Sequence, residues 1–331
     1  MKILYCLYVF SNRLYNYSRT IKTCINWVVG KLCYSPLGQS AYLFIKQRYL
    51  TFPKRVQIET TSYCNAKCVM CPHPIMPRRN QHMGQELFEK IISELSEHRD
   101  KLKVLSLHFL GEPLMDPMLF ERIRLVKDAG IKEVQLNTNA QLLNEERAEN
   151  LLKSGIDAVT FSLGGLELET QEDRRVGTRL STVEKNIDYF IRLAHKHKLS
   201  GKRPKFIIYT IKHSSKDKAW QPIVRKYKGL VDSIAVVNQN NWGGRVINIE
   251  REQSLTNYRI PCPLIFSTMT INVNGRVNLC CIDYADREIM GDLHKESIYG
   301  VWNGRMEQYR LLHLKNKAVS IPLCKECSLY R

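Results

Sequence analysis

The start of the sequence has no acid: residues 1–55 hold nine Lys or Arg and not one Asp or Glu, and the first acid is Glu59. Long apolar runs are missing as well. Ile3–Phe10 and Ile25–Gly30 fall far short of the roughly 20 residues a membrane-spanning helix needs. No small-residue cleavage site follows the first run, so a secretory leader is not expected. Without one, the eleven cysteines are not a secreted disulfide framework. They are read as thiols in a reducing cytoplasm, eight of them clustered as metal ligands are. Disorder is excluded too, because 44% hydrophobic residues over 331 positions can bury a substantial core.

What is present begins with charge. The formal net charge is +18, and half of that excess sits in the first sixth of the chain. Such a segment suits an anionic partner, whether a lipid surface, a polyphosphate substrate or nucleic acid, or else it is a solvated basic face. Interspersed Tyr15, Tyr17, Trp27, Phe44 and Tyr49 fit an interfacial amphipathic stretch that lies on a membrane surface or packs on the rest of the protein. Cys6, Cys24 and Cys33 stand among apolar neighbours and read as packed thiols.

After Pro53 strand-like and helix-like runs alternate. Strands are expected at Val56–Ser62, Val104–Leu110, Glu133–Asn139, Ala158–Leu163, Phe206–Ile211 and Ser233–Asn238. Helices are expected between them at Leu87–His98, Leu119–Ala129, Glu145–Lys153, Val183–Lys196 and Lys216–Tyr227, with Gly130 and Gly155 as C-terminal caps. This rhythm predicts a parallel βα array. From about Tyr258 it changes: Thr268–Val273, Asn274-Gly275 and Arg276–Cys281 predict a β-hairpin, and Ile298–Leu314 predicts a helix. The expected organisation is a basic segment (1–54), the βα array (55–255) and a small metal-stapled module (256–331).

The first predicted strand runs into Cys64-Asn-Ala-Lys-Cys68-Val-Met-Cys71. Three thiolates from one loop can converge on an iron–sulfur cubane, leaving one iron without a protein ligand and open to a cosubstrate. A zinc site would need a fourth ligand, and His73 is at hand. The spacing Cys64-x3-Cys68-x2-Cys71 after a first strand resembles the signature of the radical S-adenosylmethionine (SAM) superfamily. That resemblance implies a partial (β/α)6 TIM-like barrel, a [4Fe–4S] cluster on these cysteines and SAM chelated at the open iron. It further implies that Met70 packs on adenine and that Gly111-Glu112-Pro113 meets the SAM ammonium. Asn137 and Asn139 would contact ribose, Ser162 would end the fourth strand beside it, and Arg175 (or its neighbour Arg174) would meet the SAM carboxylate.

A second set follows, Cys262-x17-Cys280 with Gly275 between them, then Cys324-x2-Cys327. Four thiolates complete a cubane's shell; a zinc ribbon is the alternative. With Ile289–Leu293, Ser297-Ile298 and Val301–Asn303, the pattern resembles the SPASM/twitch domains of radical SAM enzymes, in the shortened form with one auxiliary cluster. The aminoglycoside-pathway dehydrogenases of that subgroup are similar. Two [4Fe–4S] clusters and S-adenosyl-L-methionine are then implied, with a flavodoxin- or ferredoxin-type reductant. The implied reaction is hydrogen abstraction from a small sugar- or cyclitol-type substrate, one that could be phosphate- or lipid-linked. Cys281, left over beside Cys280, is either a packed thiol or a hydrogen-atom donor for an epimerisation. Tyr209, Lys212 and Asn238 are candidates for the base an oxidation needs. Peptide modification and a zinc-dependent nucleic-acid protein are the competing readings, the latter disfavoured by cysteine spacing unlike that of zinc fingers. The expected location is the cytoplasm, with contact at the inner membrane face.

Overall fold

The computed structural model describes residues 27–28, 30–197, 203–214, 216–244 and 260–329. Ile3–Phe10, Tyr15, Tyr17, Cys6 and Cys24 lie outside those residues. Six strands form in the predicted order: β1 (Arg55–Ile58), β3 (Val104–Ser106), β4 (Val134–Thr138), β5 (Ala158–Leu163), β7 (Lys205–Lys212) and β8 (Ser233–Asn238). Each pairs in parallel with the next. Their helices are α2 (Gln85–Glu97), α3 (Leu119–Asp128), α4 (Glu145–Lys153), α6 (Leu180–His197) and α7 (Trp220–Tyr227). The five-helix, six-strand repeat is the partial TIM-like barrel, and its sheet is open, with β8 at one edge.

The helices form where apolar spacing allows. In α2 Leu87, Phe88, Ile91, Ile92 and Leu95 are buried, one stripe at the helical repeat. Asn144 caps α4 by accepting from the Arg147 N–H. Gly130 and Gly155 take φ of +78° and +81° just past their helices, as C-terminal caps require. Phe190 of α6 packs between Phe161 of β5 and Phe206 of β7, with ring centroids 6.0 and 5.7 Å away. Burying each such ring contributes on the order of 1.5–3 kcal/mol.

The first two strands are shorter than expected, because the chain leaves the sheet where it begins to build the site. β1 ends at Ile58 and Thr61 bridges to His82 instead. The C-terminal hairpin forms from β9 (Thr268–Ile271) and β10 (Arg276–Asn278), with β11 (Ile289–Asp292) antiparallel beyond. It does not stand free. β9 pairs in parallel with β1, from Arg55↔Thr268 to Ile58↔Ile271, so one nine-stranded sheet runs from the barrel into the C-terminal region.

The helix expected over Ile298–Leu314 is two, α8 (Ile298–Asn303) and α9 (Arg305–Leu314), broken at Gly304. Gly304 has ψ of −105°, and a Cβ there would meet the Gly300 carbonyl at 2.7 Å. Helix α1 (Pro36–Tyr49) begins at Ser35, whose side chain accepts from the Gly38 N–H. It docks on α9 through Tyr42, which donates to Glu307 at 2.8 Å, and through Lys46, 3.1 Å from Glu307. Among the described residues no helix is long and apolar enough to cross a membrane.

Candidate active site and second cysteine centre

The loop after β1 is closed at its base. Ser62 donates its N–H to the Gln81 carbonyl and accepts the Gln81 N–H on its hydroxyl at 2.9 Å. Within this closure Cys64, Cys68 and Cys71 are all free and half-buried. Burial pushes the Cys64 and Cys71 thiols up to about 12, so thiolate there needs a compensating charge such as iron. His73 commits Nε2 to the Ser62 carbonyl at 2.7 Å.

Short strands β2 (Lys67–Cys68) and β6 (Arg175–Val176) form an antiparallel ribbon in which Cys68 lies opposite Arg175. The Arg175 guanidinium comes within 3.8 Å of the Cys68 sulfur, and its buried Nε has no protein partner. Arg174 is instead tied to the Gly164 carbonyl and, at 2.9 Å, to Asp217. Geometry thus separates two adjacent arginines that sequence could not: Arg175 faces the cysteine loop.

The other predicted residues converge at neighbouring strand ends. Gly111 sits so close to β1's continuation that a Cβ would lie 2.1 Å from the Thr61 carbonyl. Buried Glu112 follows, accepting from the Thr138 hydroxyl at 2.6 Å and the Asn139 N–H at 2.8 Å. Burial pushes its carboxyl up, and these donors pull it back. Pro113 opens the short 3-10 turn Pro113–Met115. Asn139 donates to Asn65 of the cysteine loop at 2.9 Å, and Asn137 accepts from Ser162 at 2.8 Å. Tyr209 pairs with Ser162 in the β5–β7 register. Burial raises its phenol most, Cys281 raises it further and Arg175 opposes, so the three share one neighbourhood.

Cys262, Cys280, Cys324 and Cys327 line one cavity of about 40 Å³ whose walls are mostly apolar, among them Ile260, Leu264, Ile282 and Leu323, with His313 as the one other polar side chain. Burial raises Cys262 and Cys280 well above the ordinary thiol value. Cys281 does not line this cavity. Among the described residues no three His, Cys, Asp or Glu side chains gather around one point as a single metal ion requires. A cubane differs, since its cysteines bind separate corners. Both cysteine sets fit that group by donor chemistry, three thiols at the first and four at the second.

Two features escaped the sequence reading. Glu59, fully buried, holds Arg78 at 2.9 Å, and Arg78 also reaches Asp286 at 3.1 Å and the Tyr284 carbonyl. This ties the end of β1 to the second cysteine region. Trp242 donates its indole N–H to the Met70 carbonyl at 2.9 Å, while Met70 itself is buried. Two residues on, Gly244 packs so tightly on Glu326 that a Cβ would lie 2.2 Å from its carboxylate. Tyr284 lies 206 residues from Arg78 and Trp242 lies 172 from Met70, so local pattern carries no signal for either contact.

Residues 58–210 match the family model for the radical SAM superfamily, and residues 262–328 match that of the SPASM iron–sulfur cluster-binding domain. The chain carries a radical SAM domain followed by a SPASM domain. As a radical SAM and SPASM protein it uses S-adenosyl-L-methionine and [4Fe–4S] clusters as cofactors, which answers the zinc alternative. A relative from Pyrococcus furiosus, a tungsten-containing aldehyde ferredoxin oxidoreductase cofactor-modifying protein, is 33% identical over 110 residues. That match takes in 33% of this chain and 30% of the relative, so the chain spans about a third of that protein's length. The S-adenosyl-L-methionine-dependent 2-deoxy-scyllo-inosamine dehydrogenase of Niallia circulans is 23% identical across 82% of this chain and 92% of its own. Among solved structures, Streptococcus suis SuiB bound to the precursor peptide SuiA superposes with a TM-score of 0.67 at 17% identity, over 87% of this chain and 74% of SuiB. At that identity the likeness is one of fold.

Proposed function

We propose that this radical SAM enzyme oxidises a hydroxyl-bearing carbon of a sugar- or cyclitol-type small molecule. The observation that carries the reading is the unequal division of seven cysteines, three in a loop ringed by polar strand-end residues and four in an apolar-walled cavity. Cys64, Cys68 and Cys71 hold the first cluster, and Cys262, Cys280, Cys324 and Cys327 the second. Bound at the first cluster, SAM supplies a 5′-deoxyadenosyl radical that takes a hydrogen atom from the substrate.

The chain's own residues bind and orient. Arg175, with an uncommitted buried Nε, meets the SAM carboxylate. Gly111, Glu112 and Pro113 receive the ammonium, Asn137, Asn139 and Ser162 hold the ribose, and Met70 packs on the adenine. Tyr209 keeps its proton at neutral pH, because burial raises it, and so serves as a donor to the substrate hydroxyl rather than as the base. The hydroxyl proton passes to a base, a role that Lys212 at the end of β7 fills only as the uncharged amine and not as the ammonium. Cys262, Cys280, Cys324 and Cys327 would hold a cluster with a thiolate for each iron, which could accept the second electron. Similarity along most of its length to a cyclitol dehydrogenase supports this reading. Anaerobic reconstitution with SAM and a panel of amino-cyclitols and sugars tests it. Formation of 5′-deoxyadenosine with a ketone product is the expected result; peptide-dependent 5′-deoxyadenosine alone would favour a maturase.

A second reading is epimerisation with Cys281 as hydrogen-atom donor. It is favoured by the position of Cys281 outside the four-cysteine cavity. Cys281→Ala tests it: an unchanged product removes the idea.

Membrane contact belongs to the same proposal. Among the described residues, seven of the fifteen large exposed apolar side chains fall between Trp27 and Tyr49, with Leu37 at 79% and Phe44 at 71% exposure, so the basic segment shows apolar side chains to solvent. A phosphate- or lipid-linked substrate would be met there. Co-sedimentation with anionic vesicles, reduced in the Leu37→Ser/Phe44→Ser variant, is the expected result, and no binding by the wild type would refute it.

A further inference from the structure

The four-cysteine cavity has one lining side chain that its aliphatic walls do not call for. His313, 4% exposed in the last turn of α9, is the only polar lining residue besides the cysteines among the described residues. Its Nδ1 accepts the Cys262 backbone N–H at 3.3 Å. A neutral imidazole carries one donor and one acceptor, so a hydrogen bond accepted at Nδ1 puts the ring hydrogen on Nε2. An acceptor alone would serve the Cys262 backbone. The imidazole also brings a donor into the cavity wall.

Charge explains what a donor does there. Burial raises the Cys262 and Cys280 thiols most, and backbone N–H groups oppose it: those of Leu264 and Ile265 at Cys262, and that of Ile282 at Cys280. Leu264 and Ile265 belong to the 3-10 turn Pro263–Phe266, whose first N–H groups have no partner within the turn and so serve the cysteine before it. The first site has an arginine for the same purpose, Arg175 just past α5 (Leu168–Arg174), within 3.8 Å of the Cys68 sulfur. Among the described residues no Lys or Arg lines the second cavity. A cluster gains one negative charge on reduction, and aliphatic walls cannot solvate it. Each N–H donor therefore favours the reduced form and raises the potential.

We propose that His313 donates its Nε2 hydrogen to a sulfur of the second cluster and thereby sets the potential at which that cluster takes the substrate's electron. This rests on the proposed function, in which Cys262, Cys280, Cys324 and Cys327 hold the cluster. The step so governed moves one electron and no atom. The substrate radical, its hydroxyl proton already passed to a base, becomes the ketone as the oxidised cluster becomes the reduced one. His313 is a positioning residue, because it acts through the cluster and not on the substrate.

The test is a potentiometric titration followed by electron paramagnetic resonance. It uses the full reconstituted chain carrying Cys64→Ala/Cys68→Ala/Cys71→Ala, so that only the second signal remains. With His313→Phe, which keeps a ring and loses both nitrogens, the reduced-to-oxidised ratio at a fixed potential should fall about tenfold, or about 59 mV. With His313→Gln, whose amide both accepts and donates, most of that fall should be regained. Equal potentials in His313→Phe and its parent overturn the proposal. Equal shifts in His313→Phe and His313→Gln overturn it too, since the ring would then only fill space. Labelling the parent's histidines with a heavy nitrogen isotope gives a readout that needs no stable His313 variant. Pulsed resonance should show a weakly coupled histidine nitrogen at the reduced cluster, and its absence overturns the contact. Iron analysis comes first: a parent without about four iron atoms sinks the proposed function as well, whereas a loaded parent with an unmoved potential sinks the role of His313 alone.

Discussion

The two cysteine centres use the same ligand atom in opposite surroundings. The first has three thiols on a loop, beside Arg175 and a belt of hydrogen-bonded polar groups from three strand ends. The second has four thiols around a cavity walled mostly by aliphatic side chains, with His313 among them. Three donors leave one corner of a cubane for an exogenous ligand, and the polar belt matches a zwitterionic one. Four donors leave none. On the proposed function, donor number and wall polarity together divide chemistry from electron storage.

Removing ligands should break this comparison most severely. Cys68→Ala should lose one cluster, about four iron atoms, and all 5′-deoxyadenosine formation, as read by iron analysis and product chromatography. Cys324→Ala/Cys327→Ala should lose the same amount of iron yet keep SAM cleavage, now uncoupled from substrate oxidation. Retained oxidation in that variant would show that the second centre is not the electron acceptor.

Next in size comes the tie between the regions. Arg78→Met leaves Glu59 buried without its partner, which should cost about 3–5 kcal/mol, measured by denaturant unfolding. Replacing Trp242 by Phe removes one hydrogen bond to Met70 and should cost about 1 kcal/mol while altering the resonance signal of the first cluster. Smallest is Asp232, whose carboxyl Arg203 holds below its ordinary value through a hydrogen bond. The stability it contributes is present above the ordinary carboxylate range and is lost as pH falls through the lowered value. That pair is partly exposed, so Asp232→Asn should flatten the acid limb by no more than about 1 kcal/mol.

Much of the barrel was legible because β-branched strands and capped helices alternate locally, and the order of Cys64, Gly111, Asn137 and Ser162 marked successive strand ends. Contacts between distant segments were not. Nothing in Thr268–Ile271 says that it pairs with β1 rather than closing a separate hairpin, because parallel pairing leaves no turn to recognise. Arg78 reads as one more cation in a basic stretch until Glu59 and Asp286 are seen on either side of it. Gly304 carried a signal that was passed over, since a glycine inside a predicted helix often ends one. The choice between Arg174 and Arg175 needed the β2–β6 register, which a two-residue ribbon is too short to announce.

The most direct test is electron paramagnetic resonance on two reduced variants, each keeping one cysteine set, titrated with SAM. The account predicts that SAM shifts the signal of the protein retaining Cys64, Cys68 and Cys71 and leaves the signal of the protein retaining the other four unmoved. A SAM-dependent shift at the four-cysteine centre, or none at the three-cysteine centre, would contradict it.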